Sequence, residues 1–305
     1  MKIIKPLYLS NKNLISYLLT PLTVFTFLIN FSKNFSVKKK YKIKTICVGN
    51  IYIGGTGKTS LCIEINKILK NKFKTVFIKK RYLDQLDERK MLQTHGKLIS
   101  EENRGMSLDK AEAKKFNLAI LDDGLQDKKI DYDISIACFN SSYGIGNGYL
   151  LPAGPLREKL EILKKYSAIF VIGERKNTRL LSVLKKFNNK IFYSNYVPIN
   201  MKNFNRKKSF LYFCGIGNPE EFENTLNKYK FKISKKFIFP DHHNYTNKDL
   251  EKIKRIALKE KLEIITTEKD YKRLTNKHKK SIKFLKVELK IENFKKFKNF
   301  LKEKI

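Results

Sequence analysis

From residue 45 onward, short apolar runs alternate with stretches of helical periodicity. In the first part of the chain, strands are predicted at 45–48, 75–78, 118–121, 134–139, 168–172 and 191–196. Helices are predicted between several of them, for instance at 59–69 and 156–165. Alternation of strands with helices is typical of βαβ units, so the pattern predicts a parallel sheet flanked by helices.

A second series of elements follows the polar, basic stretch 200–208. It predicts a strand at 210–214, a helix at 220–229, a strand at 237–239, a helix at 247–259 and a strand at 262–266, then further helices and one more strand. A change in composition near residue 200 separates the two series. We take it as the boundary between a larger α/β core and a smaller α/β domain.

The N-terminal part has a different pattern, with no charged residue in the 20 positions between Lys12 and Lys33. Its polar residues recur every three or four positions and so share one helical face, opposite an apolar face. The polar positions are Asn13, Ser16, Thr20, Thr23, Thr26 and Asn30, and the apolar ones are Leu14, Leu18, Leu22, Phe25 and Ile29. Pro21 is expected to interrupt the helix.

Such a segment favours a helix lying in the membrane surface. Its length also fits a single membrane span, and a buried core helix and a secretory signal peptide are further alternatives. Four lysines follow at Lys38, Lys39, Lys40 and Lys42, and near an anionic leaflet each adds about 1 kcal/mol of attraction. The sequence therefore predicts a membrane-associating segment over residues 1–42.

The formal net charge is +36, which by itself suggests an anionic partner. Only nine of the 65 basic residues are Arg, however, whereas sites that read nucleic acids favour the bidentate guanidinium. We therefore expect a general attraction to anionic surfaces and no nucleic-acid partner. The four cysteines form no CxxC pair, which in a chain of 305 residues is typical of reduced thiols in a cytosolic setting.

The strongest chemical motif is a glycine-rich loop between the strand at 45–48 and the following helix. It contains Gly54, Gly55, Thr56, Gly57, Lys58 and Thr59. Glycines let backbone N–H groups surround a phosphate, and the helix N-terminus adds positive charge. In such loops the lysine reaches the β- and γ-phosphates and the hydroxyl binds Mg²⁺, so ATP and Mg²⁺ are the predicted ligands. Tyr52 stands where the strict motif has its first glycine.

Two carboxylates, Asp122 and Asp123, end the apolar strand at 118–121. P-loop enzymes hold magnesium with an acid in this position. Loop and acid together predict a P-loop NTPase-like core over 43–199, followed by the smaller domain over 200–305. They do not name a substrate, and an ATPase or GTPase switch without an acceptor would use the same parts.

Six further segments make the assignment more specific. They are Gly49-Asn50 before the loop, Asp122-Asp123-Gly124-Leu125-Gln126, Leu151-Pro152-Ala153-Gly154-Pro155-Leu156-Arg157-Glu158, Gly215-Ile216-Gly217-Asn218-Pro219, Phe239-Pro240-Asp241-His242-His243 and Thr266-Thr267-Glu268-Lys269-Asp270. In this order, over about residues 6–274, they resemble the tetraacyldisaccharide 4'-kinases.

The resemblance implies a monotopic enzyme on the cytoplasmic face of the inner membrane. Such an enzyme transfers the γ-phosphate of ATP to the 4'-hydroxyl of a tetra-acylated glucosamine disaccharide 1-phosphate, in lipid A biosynthesis. The implied partners are this lipid and the inner leaflet. The alternative that stays open is a membrane-associated P-loop ATPase switch with no lipid acceptor.

The resemblance also implies roles for individual residues. The nucleotide-binding set is Gly54, Gly55, Thr56, Gly57, Lys58, Thr59, Ser60 and Arg157, and the magnesium set is Thr59, Asp122, Asp123 and Glu158. The catalytic set is Asp87, His242 and Lys58: Asp87 corresponds to the family's catalytic base, and His242 would orient it.

Departures from the family pattern cluster around this base. The family usually has Ser-Arg-Gly-Tyr where this chain has Lys79-Lys80-Arg81-Tyr82, and Leu86 replaces the glycine before the aspartate. The His that usually follows the Asp-Asp-Gly segment is Asp127 here. Because of these changes, Asp84 is the alternative candidate for the base.

Overall fold

The structure is a computed structural model that describes residues 7–33, 35–82, 86–173 and 177–305. It divides into two compact units. Of the described residues, the larger unit contains 7–82, 89–195 and 291–305, and the smaller unit contains 86–88 and 196–290. Each unit is described by itself below. The domain limits predicted from the sequence stay a prediction.

The chain forms strands and helices that are numbered here in chain order. The strands are β1 (Lys44–Gly49), β2 (Thr75–Lys79), β3 (Leu98–Ile99), β4 (Leu118–Asp122), β5 (Ile134–Asn140), β6 (Ala168–Ile172), β7 (Ile191–Pro198), β8 (Ser209–Cys214), β9 (Lys232–Ile238), β10 (Glu263–Thr267), β11 (Ile282–Leu285) and β12 (Val287–Ile291). The helices are α1 (Leu14–Leu19), α2 (Thr23–Lys33), α3 (Lys58–Leu69), α4 (Leu86–Gln93), α5 (Arg104–Ala113), α6 (Thr178–Lys185), α7 (Pro219–Lys228), α8 (Asn247–Lys259), α9 (Glu268–Arg273), α10 (Asn276–Lys279) and α11 (Phe294–Lys304).

The larger unit is built on a run of parallel strands in the order β7-β6-β5-β1-β4-β2-β3. β4 and β6 are buried along their whole length, as strands covered on both faces must be. The order places β1 between β4 and β5, so the loop after β1 and the acidic end of β4 open at the same edge of the sheet. An α/β fold with this arrangement confirms the predicted fold class.

The smaller unit carries a second parallel sheet in the order β11-β10-β8-β9. Side chains of β8 alternate between its two faces, as in any strand. Phe210 and Tyr212 pack in a cluster that contains residues of α7, and Leu211 and Phe213 pack in a cluster that contains residues of α8. The unit therefore has helices on both faces of its own sheet.

The N-terminal segment forms α1 and α2, joined by a 3-10 turn over Thr20–Leu22 with Pro21 at its start. The interruption predicted at this proline is confirmed. Leu14–Lys33 is long and apolar enough to cross a membrane, and only 6% of its most apolar window is buried in the described structure. Its apolar face is exposed, including Leu14 at 74%, Leu18 at 70% and Phe25 at 66%.

Most predicted elements are present with ends shifted by a residue or two, but the helix predicted at 156–165 is wrong. Only Leu160–Lys165 is helical there, as a 3-10 segment. The backbone N–H groups of Leu156 and Arg157 donate instead to the carbonyls of Tyr149 and Ile51, at 3.0 and 2.7 Å. The carbonyl of Leu156, which in a helix would accept from residue 160, accepts from the backbone N–H of Leu151 at 2.8 Å.

Candidate active site

The glycine-rich loop, residues 50–57, leaves β1 and ends where α3 begins at Lys58. Gly54 and Gly57 have φ values of 131° and 74°, which side-chain-bearing residues rarely adopt. Gly57 is the cap residue of α3, so the loop turns sharply into the helix N-terminus. The first backbone N–H groups of an α-helix have no partner within the helix, and phosphate cradles are built from such groups.

Tyr52, the departure from the strict motif, is a core residue. Its side chain is 1% exposed, and its hydroxyl accepts a hydrogen bond from the backbone N–H of Asn140 at 2.8 Å. The next residue, Ile53, donates its backbone N–H to the carbonyl of Pro155 at 2.9 Å. The start of the loop is therefore fixed by packing and hydrogen bonds, which removes the need for a glycine there.

Asp122 and Asp123 lie at the end of β4, and both contact residues of the loop–helix junction. The Thr59 hydroxyl donates to Asp122 Oδ2 at 2.9 Å. Lys58 Nζ and an Arg157 guanidinium nitrogen lie 3.6 and 3.7 Å from Asp123 Oδ1. Burial acts to raise the pKa of Asp123, but the charges on Lys58 and Arg157 outweigh it and lower the pKa. Asp123 is therefore an anion at neutral pH.

Several buried polar atoms here accept or donate no hydrogen bond within the described part of the chain. They are Asn50 Oδ1, Thr56 Oγ1, Asp122 Oδ1 and Asp123 Oδ1. Buried groups of this kind normally have a partner, so atoms without one in a single region suggest a ligand site. Three of the four are oxygens that can only accept, which suits a hard cation.

The segment Tyr149–Glu158 contributes Arg157 to this site, and tight packing and hydrogen bonds fix its conformation. Gly154 has no room for a side chain, because a Cβ would meet Asn147 Oδ1 and the Tyr149 carbonyl. Glu158 is 4% exposed, and its carboxylate is held by Lys128 at 2.6 Å, the Tyr166 hydroxyl at 3.1 Å and Gln126 Nε2 at 3.3 Å. Both Glu158 oxygens thus have partners within the protein.

Two side chains to which the sequence analysis assigned no role, Arg104 and Lys79, support the acidic strand end. Arg104, at the start of α5, donates to the backbone carbonyl of Asp123 and lies 3.7 Å from Asp127. Asp127 therefore pairs with a buried arginine. Lys79 at the end of β2 lies 2.8 Å from Asp122 Oδ2. Neither contact has a sequence signal, because each depends on how distant segments are placed side by side.

A second cluster of charges belongs to the smaller unit and centres on Asp87, on α4. Its Oδ1 lies 3.2 Å from His242 Nδ1, and its Oδ2 lies 2.6 Å from Arg273 and 3.3 Å from Lys269. Burial acts to raise the pKa of Asp87, but His242, Lys269 and Arg273 together hold it well below its usual range. The structure thus brings together the two residues, Asp87 and His242, that the sequence paired. The alternative, Asp84, lies outside the described residues.

The position of His242 is set by its own backbone and by its neighbours. Its φ is 58°, and its N–H donates to Asp241 Oδ1 at 2.9 Å. A positive φ is uncommon outside glycine, and histidine is one of the residues that adopts it more often than most. His243 points elsewhere, since it stacks on Phe239 with a 4.6 Å ring separation and pairs with Asp249 at 3.1 Å.

Arg273 links Asp87 to the core of the smaller unit. It donates to Asp270 Oδ1 at 3.0 Å and to the carbonyl of Gly215 at 2.6 Å. Asp270 is fully buried and also accepts from the Tyr245 hydroxyl and the Gly215 N–H, at 2.8 and 3.0 Å. Lys269 and Asp270 were part of a sequence motif, but Arg273 was not, and its role follows only from the fold.

Comparison with known proteins gives a consistent result. The family model described as tetraacyldisaccharide-1-P 4'-kinase matches residues 15–97 and 85–305. A tetraacyldisaccharide 4'-kinase of Pelagibacter ubique is 43% identical, covering 99% of this chain and 98% of that protein. A protein of the same name from Rickettsia canadensis is 34% identical over 100% and 97%. The crystal structure of LpxK from Aquifex aeolicus in complex with ATP aligns with a TM-score of 0.69 at 23% identity, over 95% and 96% of the two chains.

Proposed function

Because the chain belongs to the tetraacyldisaccharide-1-phosphate 4'-kinase family, we propose that it transfers the γ-phosphate of ATP to the 4'-hydroxyl of a tetra-acylated glucosamine disaccharide 1-phosphate. The product is the 4'-phosphorylated lipid of lipid A biosynthesis. The observation that carries the proposal is a phosphate-type loop next to two strand-end aspartates, in a chain that resembles these kinases over its whole length.

In this proposal the larger unit holds the nucleotide. The backbone from Gly54 to Ser60 surrounds the phosphates, and Lys58 and Arg157 neutralise their charge. Both side chains flank Asp123, at 3.6 and 3.7 Å, so their charged ends lie close together. Phosphoryl transfer depends mainly on positioning and on neutralising charge, and this preorganised set supplies both.

The residues present also fit a magnesium ion. Thr59, Asp122 and Asp123 would hold it directly or through water, and the ion would neutralise charge on the transferred phosphoryl group. Asp122 Oδ1 and Asp123 Oδ1, which are buried and accept no hydrogen bond from the described residues, support this assignment. No group of three or more His, Cys, Asp or Glu side chains within the described ranges forms a metal cluster, and magnesium bound with a nucleotide does not require one. Glu158 already has internal partners, so we assign it an indirect role through metal-bound water.

The smaller unit supplies the group that acts on the lipid hydroxyl. We assign Asp87 to accept the hydrogen bond of the attacking hydroxyl, and His242 to orient the carboxylate. A new P–O bond forms at the 4'-oxygen while the bond between the γ-phosphorus and the bridging oxygen of ADP breaks, and the hydroxyl proton passes late to the Asp87 carboxylate. A carboxylate with a strongly lowered pKa is a weak base. In a loose transition state, however, its main role is to orient the attacking hydroxyl, and this does not require a strong base.

We further propose that the N-terminal segment binds the cytoplasmic face of the inner membrane, where the lipid acceptor lies. Its polar edge is turned to the protein, because the Thr26 hydroxyl and the Asn30 amide donate to the carbonyls of Leu151 and Arg157, at 2.6 and 2.5 Å. The opposite, apolar face is exposed. A helix with one edge hydrogen-bonded to protein and an exposed apolar face on the other side fits a helix lying in the membrane–water interface better than a transmembrane helix.

The lysines after this helix support the same placement. Lys38 and Lys42 are exposed, whereas Lys39 and Lys40 pair with Asp109 and Asp133 at 2.8 and 3.0 Å. Two of the four charges are therefore partly offset, and the attraction to an anionic leaflet is smaller than the sequence alone suggests.

The test is incubation of the purified protein with γ-labelled ATP and a tetra-acylated disaccharide 1-phosphate in mixed micelles, with lipid products separated by chromatography. We expect a labelled lipid that forms only when acceptor is present. Phosphate release at one rate with and without acceptor, and no labelled lipid, would refute the proposal and favour an ATPase switch. Lys58→Ala serves as the inactive control.

A further inference from the structure

Lys79 places a buried ammonium group directly against the metal-side carboxylate. It is the last residue of β2 and is the register partner of Asp122 on β4. Its Nζ lies 2.8 Å from Asp122 Oδ2, and the two side chains are 3% and 0% exposed. A lysine and an aspartate buried this deeply are stable as charged groups only as a pair.

The pair uses one oxygen of Asp122 and leaves the other. Oδ2 accepts from both Lys79 and the Thr59 hydroxyl, at 2.8 and 2.9 Å. Oδ1 is buried and accepts no hydrogen bond from the residues that the structure describes. Lys79 and Thr59 thus fix the rotation of the carboxylate, and Oδ1 is the oxygen available to a ligand.

Stability alone does not account for a lysine here. A buried ion pair often contributes no more to folding than apolar residues of similar volume. Its electrostatic effect on a metal is different, because the ammonium cancels the charge of one of two neighbouring aspartates. The other, Asp123, faces Lys58 and Arg157. Arg104 donates to the Asp123 backbone carbonyl. Without phosphates, a divalent cation would therefore meet two carboxylates and four cationic side chains.

We propose that Lys79 is a resident cation of this site that orients Asp122 and prevents free Mg²⁺ from binding before the nucleotide. The phosphates bring the negative charge that the site lacks, so the metal enters together with ATP. This inference rests on the proposed function in taking Mg²⁺ and ATP as ligands, but it concerns metal binding in the absence of any lipid.

The test measures the affinity for Mn²⁺, a paramagnetic substitute for Mg²⁺ at oxygen sites, by electron paramagnetic resonance without nucleotide. Lys79→Met removes the charge, and Lys79→Gln removes the charge but keeps a hydrogen-bond donor. We expect Mn²⁺ to bind both variants at least about tenfold more tightly than the wild type. One adjacent positive charge lowers the proton affinity of a carboxylate by at least about tenfold, and we expect an effect on Mn²⁺ of at least that size. Lys79→Met/Asp122→Asn should bind as weakly as the wild type.

Lys232→Met is the control, because Lys232 is an exposed lysine at the start of β9 and its loss should leave Mn²⁺ affinity unchanged. Thermal unfolding gives a second readout: Mg²⁺ without nucleotide should raise the melting temperature of Lys79→Gln and not that of the wild type. Equal Mn²⁺ affinity in wild type, Lys79→Met and Lys79→Gln would overturn the proposal. Absence of lipid phosphorylation by the wild type would overturn the proposed function and leave the metal result standing.

Discussion

Replacing Asp87 by asparagine tests the assignment of the group that acts on the lipid hydroxyl. The substitution keeps the shape of the side chain but removes the charge that faces His242, Arg273 and Lys269, at 3.2, 2.6 and 3.3 Å. An amide orients a hydroxyl less well than a carboxylate and cannot accept its proton. We expect turnover with the lipid acceptor to fall at least about 100-fold, the scale of a positioned acid–base group.

The same change should lower stability. Removing one partner from a buried ion pair costs about 3–5 kcal/mol, and the remaining amide oxygen keeps the loss near the lower figure. The pKa of Asp87 is lowered in the folded state, so the stabilisation from its ion pairs is fully present above the unfolded value of about 3.9. It is lost as the pH falls below that value, and the difference between wild type and Asp87→Asn should shrink there.

The assay combines labelled-lipid formation, binding of a fluorescent ATP analogue and thermal unfolding at pH 7 and pH 3. The affinity for the nucleotide should change less than about twofold, since other residues are assigned to bind it and the substitution removes none of their contacts. Asp249→Asn is the matched control, because Asp249 also pairs with an imidazole, that of His243 at 3.1 Å. It is the third residue of α8 and forms a capping box with Thr246, so the variant should lose about 1 kcal/mol of stability and keep its turnover.

Near-normal turnover of Asp87→Asn would refute the assigned role and direct attention to Asp84. A loss of turnover matched by an equal loss in Asp249→Asn would also refute it, since the effect would then come from the stability of the smaller unit. A stability difference that stays constant down to pH 2 would contradict the lowered pKa.

Three further variants test other parts of the molecule. Lys58→Ala should lower lipid phosphorylation at least about 100-fold in the labelled-lipid assay, with a melting temperature close to that of the wild type; full activity would contradict the nucleotide-binding assignment. Arg273→Met should lower the free energy of unfolding by about 3–5 kcal/mol in a denaturant titration, because fully buried Asp270 loses its cation, and an unchanged value would refute this account. Leu18→Ser with Phe25→Ser should weaken binding to anionic vesicles by more than about 100-fold in a flotation assay, since each apolar side chain contributes about 1.5–3 kcal/mol; equal flotation would show that this face does not bind lipid.

The sequence predicts the elements of this fold where the local pattern is strong. The strand at 168–172 and the helix at 247–259 have the predicted ends, because the strand is wholly buried and the helix begins with a capping box at Thr246. The strand predicted at 237–239 overlaps only the end of β9, which begins at Lys232. This strand lies at the edge of its sheet, is rich in lysine and lacks a regular alternation of apolar and polar residues. The helix predicted at 156–165 fails because the carbonyl of Leu156 accepts from the N–H of Leu151 and not from residue 160, as a helix requires.

The candidate site divides in the same way. Lys58, Thr59, Asp122 and His242 belong to motifs with fixed spacing, and the structure shows each beside a polar or charged partner. Other partners become visible only when strands and helices are paired, as with Lys79 and Arg273. A sequence pattern records neighbours along the chain, whereas these ion pairs join segments more than 40 residues apart.

The two hydrogen bonds from α2 to the carbonyls of Leu151 and Arg157 have a practical consequence for work with this protein. Deleting the first 33 residues to obtain a form that needs no detergent would take away the donors for both carbonyls. The peptide group of Arg157 would lose the hydrogen bond that holds it in place. Kinetic constants measured on the shortened protein would then refer to a nucleotide site that is less rigid than in the full chain. Substituting outward-facing apolar residues while retaining Thr26 and Asn30 is the sounder route to a soluble enzyme.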